Sequence, residues 1–284
     1  IDLSGMPRRS FFIGLVEFAT NEEEREKLEE LASAEGASLY YEYCQRERRN
    51  YVEVMEEFPS ARPPLHKLLE LLPILQPRHY SVASSGYNGH NAALVQLCVA
   101  VTTARTPYGR ERIGLCSSYL ANSLPGQEIK MWLRRGTFAN PGSKIPLILV
   151  GPGTGVAPMR ALLQERRFFA ECEDTSYGID LSNTRKRERD PSDILFYGCR
   201  KREYDFLYKE EWTALSRGEE HQEQHKDATD FFCDTESASC QAVCVAFSQD
   251  GPENLGKTYV THKLRLHAEL VARLFDQGAH VYVA

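Results

Sequence analysis

The sequence predicts a chain of mixed class, α+β followed by α/β: a helical region over residues 1–75, an antiparallel barrel or sandwich over 76–142, and a doubly wound parallel sheet over 143–284. Three changes of texture predict it. Up to Gln76 the apolar residues fall at helical spacing. From Gln76 they come in short strand-like runs broken by Gly, Pro and Asn. After the "NPGSK" of residues 140–144 they form buried-type runs that alternate with amphipathic helices.

The clearest early helix is "TNEEEREKLEELASAEG", with Thr20 or Asn21 as N-cap, Glu22, Glu23 and Glu24 in the first turn, Leu28 and Leu31 on one face and Gly36 as a stop. Shorter helices are expected over Tyr51–Phe58 and Pro64–Leu72. "LVQLCVAVT" (94–102) and "EIKMWLRR" (128–135) read as strands of the antiparallel unit. The last region reads as "IPLILV" then a helix over Pro158–Cys172, "DILFYG" then Tyr204–Ser216, "AVCVAF" then Thr258–Phe275, and a final run "HVYVA". Strands buried on both faces read as continuous apolar runs, and ligands of such sheets bind beyond the carboxyl ends of the strands. There the sequence places "GPGTG", "GCR" and "SQDG". Two polar segments, near 171–191 and 217–242, read as surface insertions. The chain starts without Met and stops inside a strand-like run, so a fragment is expected, with the barrel incomplete and the last domain truncated at its C-terminus.

Composition narrows the function classes. A net charge of -6 gives no electrostatic case for binding nucleic acid, which needs clustered cations. No apolar run approaches the roughly 20 residues of a membrane span. Eight cysteines scattered through the chain, with no leading signal peptide, favour reduced thiols and a cytoplasmic location.

Three short motifs carry chemistry. "GPGTGVAP" (151–158) follows a strand and opens a helix, so its glycines admit a ligand close to the backbone while the helix offers free N–H groups to a phosphate. It lacks the P-loop Lys and the dinucleotide glycine spacing. "GLCSSYLA" (114–121) has the same grammar in the antiparallel unit. "RHYS" supplies Arg78, a cation suited to a pyrophosphate, Tyr80, a ring suited to stacking, and Ser81, a hydroxyl that can donate to a ring nitrogen. Alone, each is equally readable as a tight turn, a helix cap, or a packed ring beside a surface cation. In a regular strand Arg78 and Tyr80 share a face and Ser81 points away, so the strand must bend or end there for all three to reach one ligand.

Taken together, "RHYSVASS", "GLCSSYLA", "LVGPGTGVAPMRALLQER", "FYGCRKREYDFLYKEEW" and "AFSQD" with "GKTYVTHKL" resemble the ferredoxin–NADP reductase module of the diflavin reductases, and within that family the branch serving cytosolic iron–sulfur cluster assembly. The resemblance implies a helical connecting subdomain over 1–75, an FAD-binding β-barrel over 76–142 and an NADP-binding α/β domain over 143–284. It implies cofactor contacts at Arg48, Arg78, His79, Tyr80, Ser81, Gly114, Leu115, Cys116 and Ser117 for FAD, and at Thr154, Ser248, Gln249, Lys257, Thr258, Tyr259, Val260 and Thr261 for NADPH. Ser81, near flavin N5, is the expected catalytic residue. FMN belongs to a domain not expected within these residues, and the expected partner is a redox protein acceptor, an iron–sulfur protein of the cytosolic assembly pathway. The intact protein is then expected to pass electrons from NADPH through FAD and FMN, and the fragment to do so poorly or not at all.

The chain departs from the family pattern at Gln249, where an Arg is usual after Ser248; Gln supplies neither the charge nor the fork of donors that an Arg offers a phosphate. NADPH remains the expected donor because Lys257 and Tyr259 are kept, with Arg200 or Arg202 as substitutes. Alternatives are a cytochrome reductase-type or methionine synthase reductase-type diflavin enzyme, or a non-catalytic partner-binding module with a vestigial flavin site. His221, His225, Cys233, Cys240 and Cys244 are zinc-ligand types without zinc-site spacing, so no metal is expected. Cys116 and Cys199 read as small apolar residues, and Tyr40, Tyr41 and Tyr43 as packing.

Overall fold

The computed structural model describes residues 1–87, 94–142, 144–176, 193–214, 231–234, 241–250 and 257–284. They form two compact units, residues 1–79 with 100–130 and residues 80–99 with 131–284. Among the described residues no helix is long and apolar enough to cross a membrane.

The first unit contains helices α1 (Arg9–Val16), α2 (Glu22–Ala32), α3 (Ala37–Tyr40), α4 (Tyr51–Glu57) and α5 (Leu65–Leu71), a two-stranded antiparallel ribbon of β1 (Thr103–Arg105) and β2 (Glu111–Ile113), and α6 (Leu115–Ala121). Asn21 caps α2 by accepting the Glu24 N–H at 3.0 Å. Gly36 does not cap the helix through a left-handed backbone, since its φ is -74°. It is needed because a Cβ there would run into the Glu30 carbonyl oxygen. Helix α1 carries no start signal in the sequence, having neither a side-chain cap nor acids in its first turn. Burial of Phe11, Phe12 and Leu15 holds it, which is how short helices usually survive. Those rings meet Tyr40, Tyr43 and Tyr51 edge to face, Phe11 and Tyr51 at 4.8 Å between centroids, and Tyr43 meets Phe58 in the same way. Tyr40 and Tyr43 are packing residues, whereas Tyr41 is exposed.

Glu53 ties the helices to the ribbon. Its Oε2 accepts the Asn50 N–H at 2.9 Å while Asn50 accepts the Glu53 N–H at 2.9 Å, a reciprocal cap at the start of α4. The same carboxylate pairs with Arg110 on the ribbon's turn and Arg112 on β2, each at 2.6 Å. Burial pushes the Glu53 carboxyl up, but the Arg112 and Asn50 hydrogen bonds and the charges of Arg112 and Arg110 outweigh it and hold the group below its ordinary value.

The second unit is built on a five-stranded sheet: β3 (Leu147–Pro152), β4 (Asp193–Cys199), β5 (Phe231–Asp234), β6 (Gln241–Phe247) and β7 (His280–Val283), in the order β5-β6-β4-β3-β7. All pairings are parallel except β5 with β6. Helices α7 (Val156–Ser176), α8 (Lys209–Ala214), α9 (Val260–Leu266) and α10 (Ala268–Asp276) complete it. Alternate residues of each strand enter different cores. Leu147, Leu149, Leu195, Tyr197 and Val243 pack with Met159, Leu163 and Trp212 of α7 and α8; Ile148, Ile194, Phe196 and Cys244 pack with Leu270 and Leu274 of α10. Helices thus cover both faces, as the apolar runs require.

Several expectations are corrected. The stretch read as an insertion at 217–242 holds strand β5 and the start of β6; an antiparallel edge strand flanked by polar residues lacks the long apolar run that marks a buried one. The remaining insertion residues, 177–192, 215–230 and 235–240, lie outside the described residues. The helix expected over 204–216 begins only at Lys209, because Tyr208 takes a left-handed φ of 58° that no α-helix continues through. The helix expected over 258–275 is divided at His267. The antiparallel part has fewer strands than its texture suggests among the described residues: besides the ribbon, 94–102 contributes one bridge, Val82 to Leu97, and 128–135 forms no ladder. A strand requires both a hydrogen-bonding neighbour and a surface for its apolar face. Ile129, Met131, Trp132 and Leu133 remain 41–67% exposed.

A buried ion pair fixes the start of the sheet. Arg166 of α7 donates to Asp193 Oδ2 at 2.7 Å and to the carbonyls of Gly142 and Ile145, while Asp193 Oδ1 accepts the Leu147 N–H at 3.1 Å. Burial pushes the Asp193 carboxyl up to about 6 against the pull of Arg166 and the Leu147 N–H.

Because the folded-state pKa of Glu53 is depressed, its contribution to stability is present above the ordinary carboxyl value of 4.5 and is lost as pH falls through the lower folded value. Glu53→Gln should cost about 2 kcal/mol in urea unfolding at pH 7, between the worth of exposed and buried pairs, and should flatten the stability loss below pH 4.5. An unchanged acid profile would show that Glu53 does not carry it.

Candidate functional site

The parallel strands run in spatial order β6-β4-β3-β7, so the winding direction reverses between β3 and β7. Such a reversal leaves a crevice beyond the carboxyl ends of the two strands, where ligands of open α/β sheets bind. The loop of β3 is folded tightly there: a Cβ on Gly151 would lie 2.7 Å from the Gly155 oxygen, and one on Gly155 would lie 3.2 Å from the Ala284 oxygen at the end of β7. Gly153 takes a φ of 58°, and a Cβ on it would meet nothing within 4 Å. Thr154 beside it is exposed. The loop therefore presents an open backbone face at the N-terminus of the 21-residue helix α7, which suits an anionic ligand.

The loops after β4 and β6 are laced together. Cys199 O accepts from the Ser248 N–H at 2.9 Å and its hydroxyl at 3.3 Å, and Arg200 O accepts from the Gln249 N–H at 2.8 Å. Asp250 accepts the Arg202 N–H at 2.9 Å. Arg200 is gripped by both oxygens of Asp205, at 2.8 and 3.0 Å, and the Arg202 guanidinium lies over the Phe247 ring at 4.2 Å. Val260 packs on Gly198, where a Cβ would come 2.7 Å from its Cγ2, so the run from Lys257 enters at the carboxyl end of β4. In that run Lys257, Tyr259 and Thr261 are exposed and Thr258 and Val260 half-buried; the Tyr259 N–H donates to His262 Nδ1 at 3.1 Å. Burial pushes the Cys199 thiol up to about 12, which leaves it inert at neutral pH.

In the same unit Tyr80 is half-buried and Ser81 exposed. Regular pairing begins only after them, at the Val82–Leu97 bridge and the Ala83 N–H donating to Gln96 O at 2.8 Å. The alternation of a strand thus does not bind Tyr80 and Ser81 to opposite faces. Ser84 and Ser85 serve the local structure: Ser84 Oγ donates to Leu94 O at 3.1 Å and accepts the Gln96 N–H at 3.0 Å, and Ser85 Oγ accepts the Tyr87 N–H. The segment is fastened to α7. Arg160 donates to Ala83 O at 2.6 Å and Gln96 Oε1 at 2.7 Å, and Gln164 Oε1 accepts the Ser85 N–H at 3.1 Å. Sequence reasoning missed both residues. The available signal was a cation and an amide placed among Val156, Met159 and Leu163 on the buried side of a helix.

In the first unit Arg78 and His79 are exposed, and the Arg78 guanidinium donates to the Gln76 carbonyl. The turn opening α6 is closed by Ser117, whose hydroxyl accepts the Thr102 N–H at 3.1 Å and donates to Gly114 O at 3.2 Å. Ser117 thus offers a ligand its backbone rather than its hydroxyl. The first helical bond is Ser118 N–H to Gly114 O, which leaves the N–H groups of exposed Leu115 and half-buried Cys116 ahead of it. Arg48 is exposed and takes a left-handed φ of 47°, between the π-helical turn at Tyr41–Arg46 and the Asn50 cap. Non-glycine residues in that region cluster at functional sites. Among the described residues no group of His, Cys, Asp and Glu could hold a metal. His221, His225, Cys240 and the Cys233 side chain lie outside them.

Sheet order and loop geometry define a nucleotide-binding α/β domain of the ferredoxin–NADP reductase-like class. Residues 1–119 match the FAD binding domain family and residues 149–284 the Oxidoreductase NAD-binding domain family. The chain belongs to the diflavin reductase family. It is similar to NADPH-dependent diflavin oxidoreductase 1 of Arabidopsis thaliana, 38% identical across 99% of this chain and 40% of that protein. It is also similar to the protein of that name from Bos taurus, 38% identical across all of this chain and 41% of that protein. NADPH–cytochrome P450 reductase of Cavia porcellus is 33% identical across all of this chain and 38% of its own length. The chain thus spans about two fifths of the length of the curated relatives it matches.

Proposed function

We propose that this chain is the FAD- and NADPH-binding part of a cytoplasmic diflavin oxidoreductase, with a connecting subdomain over 1–75, a flavin-binding region over 76–142 and a nicotinamide-binding domain over 143–284. The observation that carries the reading is the open Gly153–Thr154 loop at the strand-order reversal, on the same helix that fastens the Tyr80–Ser85 segment. When bound, the FAD would take a hydride, two electrons and a proton, from nicotinamide C4 to its N5 as NADPH is oxidised, and would release the electrons singly through FMN held elsewhere in the full-length protein. The acceptor in this reading is an iron–sulfur protein of the cytosolic assembly pathway, supported by the likeness of the "RERRN" and "GLCSSYLA" segments to that branch.

The residues present fit these groups. Arg48 and Arg78, both exposed, supply cations for the FAD pyrophosphate, and the backbone from Gly114 to Ser117 supplies N–H donors. Tyr80 offers its ring to the isoalloxazine. Ser81, exposed just before the strand becomes regular, donates its hydroxyl toward N5. Thr154 and the backbone at Gly153 receive the nicotinamide nucleotide, and Ser248, Lys257 and Tyr259 the 2′-phosphate. Arg200 and Arg202, on the loop hydrogen-bonded to Ser248, Gln249 and Asp250, are the substitutes for the usual Arg.

The direct test is anaerobic addition of NADPH to FAD-loaded full-length protein, followed by ferricyanide reduction with NADPH and with NADH. Rapid flavin bleaching is expected, with at least tenfold higher kcat/KM for NADPH. Gln249→Arg should raise that preference by about a further tenfold, the worth of one charge-assisted contact. A full-length protein that takes up no FAD at saturating cofactor would refute the enzyme reading in favour of a partner-binding module, and equal use of the two nucleotides would show that Gln249 has removed 2′-phosphate discrimination. Arg48→Gly should leave stability within about 1 kcal/mol, because relief of the left-handed backbone offsets the added chain entropy. The same change should weaken FAD binding tenfold or more by removing a charged contact, as measured by cofactor retention on dilution.

A further inference from the structure

We infer that Arg160 is a positioning residue for hydride transfer: it locks the segment bearing Tyr80 and Ser81 to the helix that grows from the nucleotide loop. This inference rests on the flavin reductase reading above. Arg160 lies six residues after Thr154 and is only 7% exposed. Two of its three guanidinium nitrogens and its cationic face are engaged. Nε donates to Glu211 Oε2 at 2.7 Å, Nη1 donates to Ala83 O at 2.6 Å and to Gln96 Oε1 at 2.7 Å, and the cationic plane lies 4.4 Å from the centre of the Tyr208 ring.

Its partners are themselves held. Gln164, one turn further along α7, donates to the other Glu211 oxygen at 3.1 Å and accepts the Ser85 N–H. Gln96 O accepts the Ala83 N–H at 2.8 Å, closing the small loop of backbone that Arg160 grips. Tyr208 adopts a left-handed φ of 58°, and its carbonyl accepts the Glu211 and Trp212 N–H groups at 3.0 and 3.1 Å. Strained backbone persists where its surroundings over-determine it, here under the guanidinium.

The path from one reacting partner to the other is therefore short and stiff. Ser81 is two residues from Ala83, a span of about 7 Å, and Arg160 is one helical turn from Val156, about 6 Å along the axis. Between them stands one buried side chain that makes three hydrogen bonds. Transfer requires the reacting atoms about 3–3.5 Å apart, and a displacement of about 1 Å can cost a hundredfold in rate. A lysine at this position keeps the charge for Glu211 but loses the fork and the ring stacking, so it loosens the grip on Ala83 and Gln96 while preserving the ion pair.

The test compares FAD-loaded full-length protein with its Arg160→Lys and Gln164→Leu variants. Arg160→Lys should retain stoichiometric FAD and bind 2′,5′-ADP within twofold of the parent. Its single-turnover flavin reduction by NADPH should slow ten- to a hundredfold, with weakening of the long-wavelength nicotinamide–flavin absorption band. Gln164→Leu should shift both readouts in the same direction by a smaller factor. A reduction rate within twofold of the parent in the Arg160→Lys protein would overturn the inference. Loss of FAD or of 2′,5′-ADP binding in both variants would also overturn it, by showing that the cluster maintains the fold rather than the alignment. Failure of the parent protein to bind FAD or react with NADPH would be seen before any variant is made, and would refute the underlying reading and this inference with it.

Discussion

Helix α7 is held by two buried arginines, and the architecture of the sheet unit follows from what each of them grips. Arg166 binds Asp193 and the carbonyls of Gly142 and Ile145, which fixes where β3 and β4 begin. Arg160 binds Glu211, Gln96 and Ala83, which fixes the segment after Ser81. A guanidinium is suited to such work because it offers five donors in a rigid plane and stays charged in a low-dielectric site where an unpaired charge would be costly. The helix also begins at the Gly153–Thr154 loop, so one element carries the loop proposed to receive the nucleotide at its start and both anchors within its first three turns.

The first unit relies on a different principle. Its helices are short, and their stability comes from an aromatic core and from the Glu53 carboxylate, which caps α4 and neutralises two arginines at the ribbon. A second network joins Glu57 to Lys27 at 2.9 Å and to Arg49 at 2.5 Å, with both cations lying over the Tyr43 ring. Arg48 sits at the margin of this network, its backbone left-handed and its side chain exposed, while its neighbour Arg49 is held inside. That contrast between adjacent arginines is what marks Arg48 as available to a ligand.

The apolar runs "LILV", "DILFYG" and "AVCVAF" announced the parallel sheet because burial on both faces leaves no polar alternation, and the texture changes at Gln76 and after Lys144 separated three regions of different pattern. The glycines of "GPGTG" after an apolar run marked the tight turn between β3 and α7. Other features depend on tertiary partners that no local pattern encodes. Helix α1 lacks a cap and exists through burial, β5 is only four residues long and flanked by polar segments, and Tyr208, whose ring lies by the Arg160 guanidinium, is left-handed. The segment at 128–135 shows the converse, a strand-like sequence that forms no ladder among the described residues. Of the residues with proposed roles, Arg78, Ser81 and Thr154, all exposed, were legible in the sequence as candidate ligand contacts. Arg160 and Gln164 were not, since a buried polar residue reads in sequence only as an interruption of an apolar face.

Helix α7 is proposed to hold the Tyr80–Ser81 segment and the Gly153–Thr154 loop in register. A crystal structure of the full-length protein with FAD and NADP bound tests it most directly. The account predicts the isoalloxazine on Tyr80 with N5 facing Ser81, the nicotinamide nucleotide over Gly153 and Thr154, and Arg160 still bonded to Ala83 and Gln96. An isoalloxazine bound away from Tyr80, or an Arg160 detached from Ala83 in the occupied site, would contradict it.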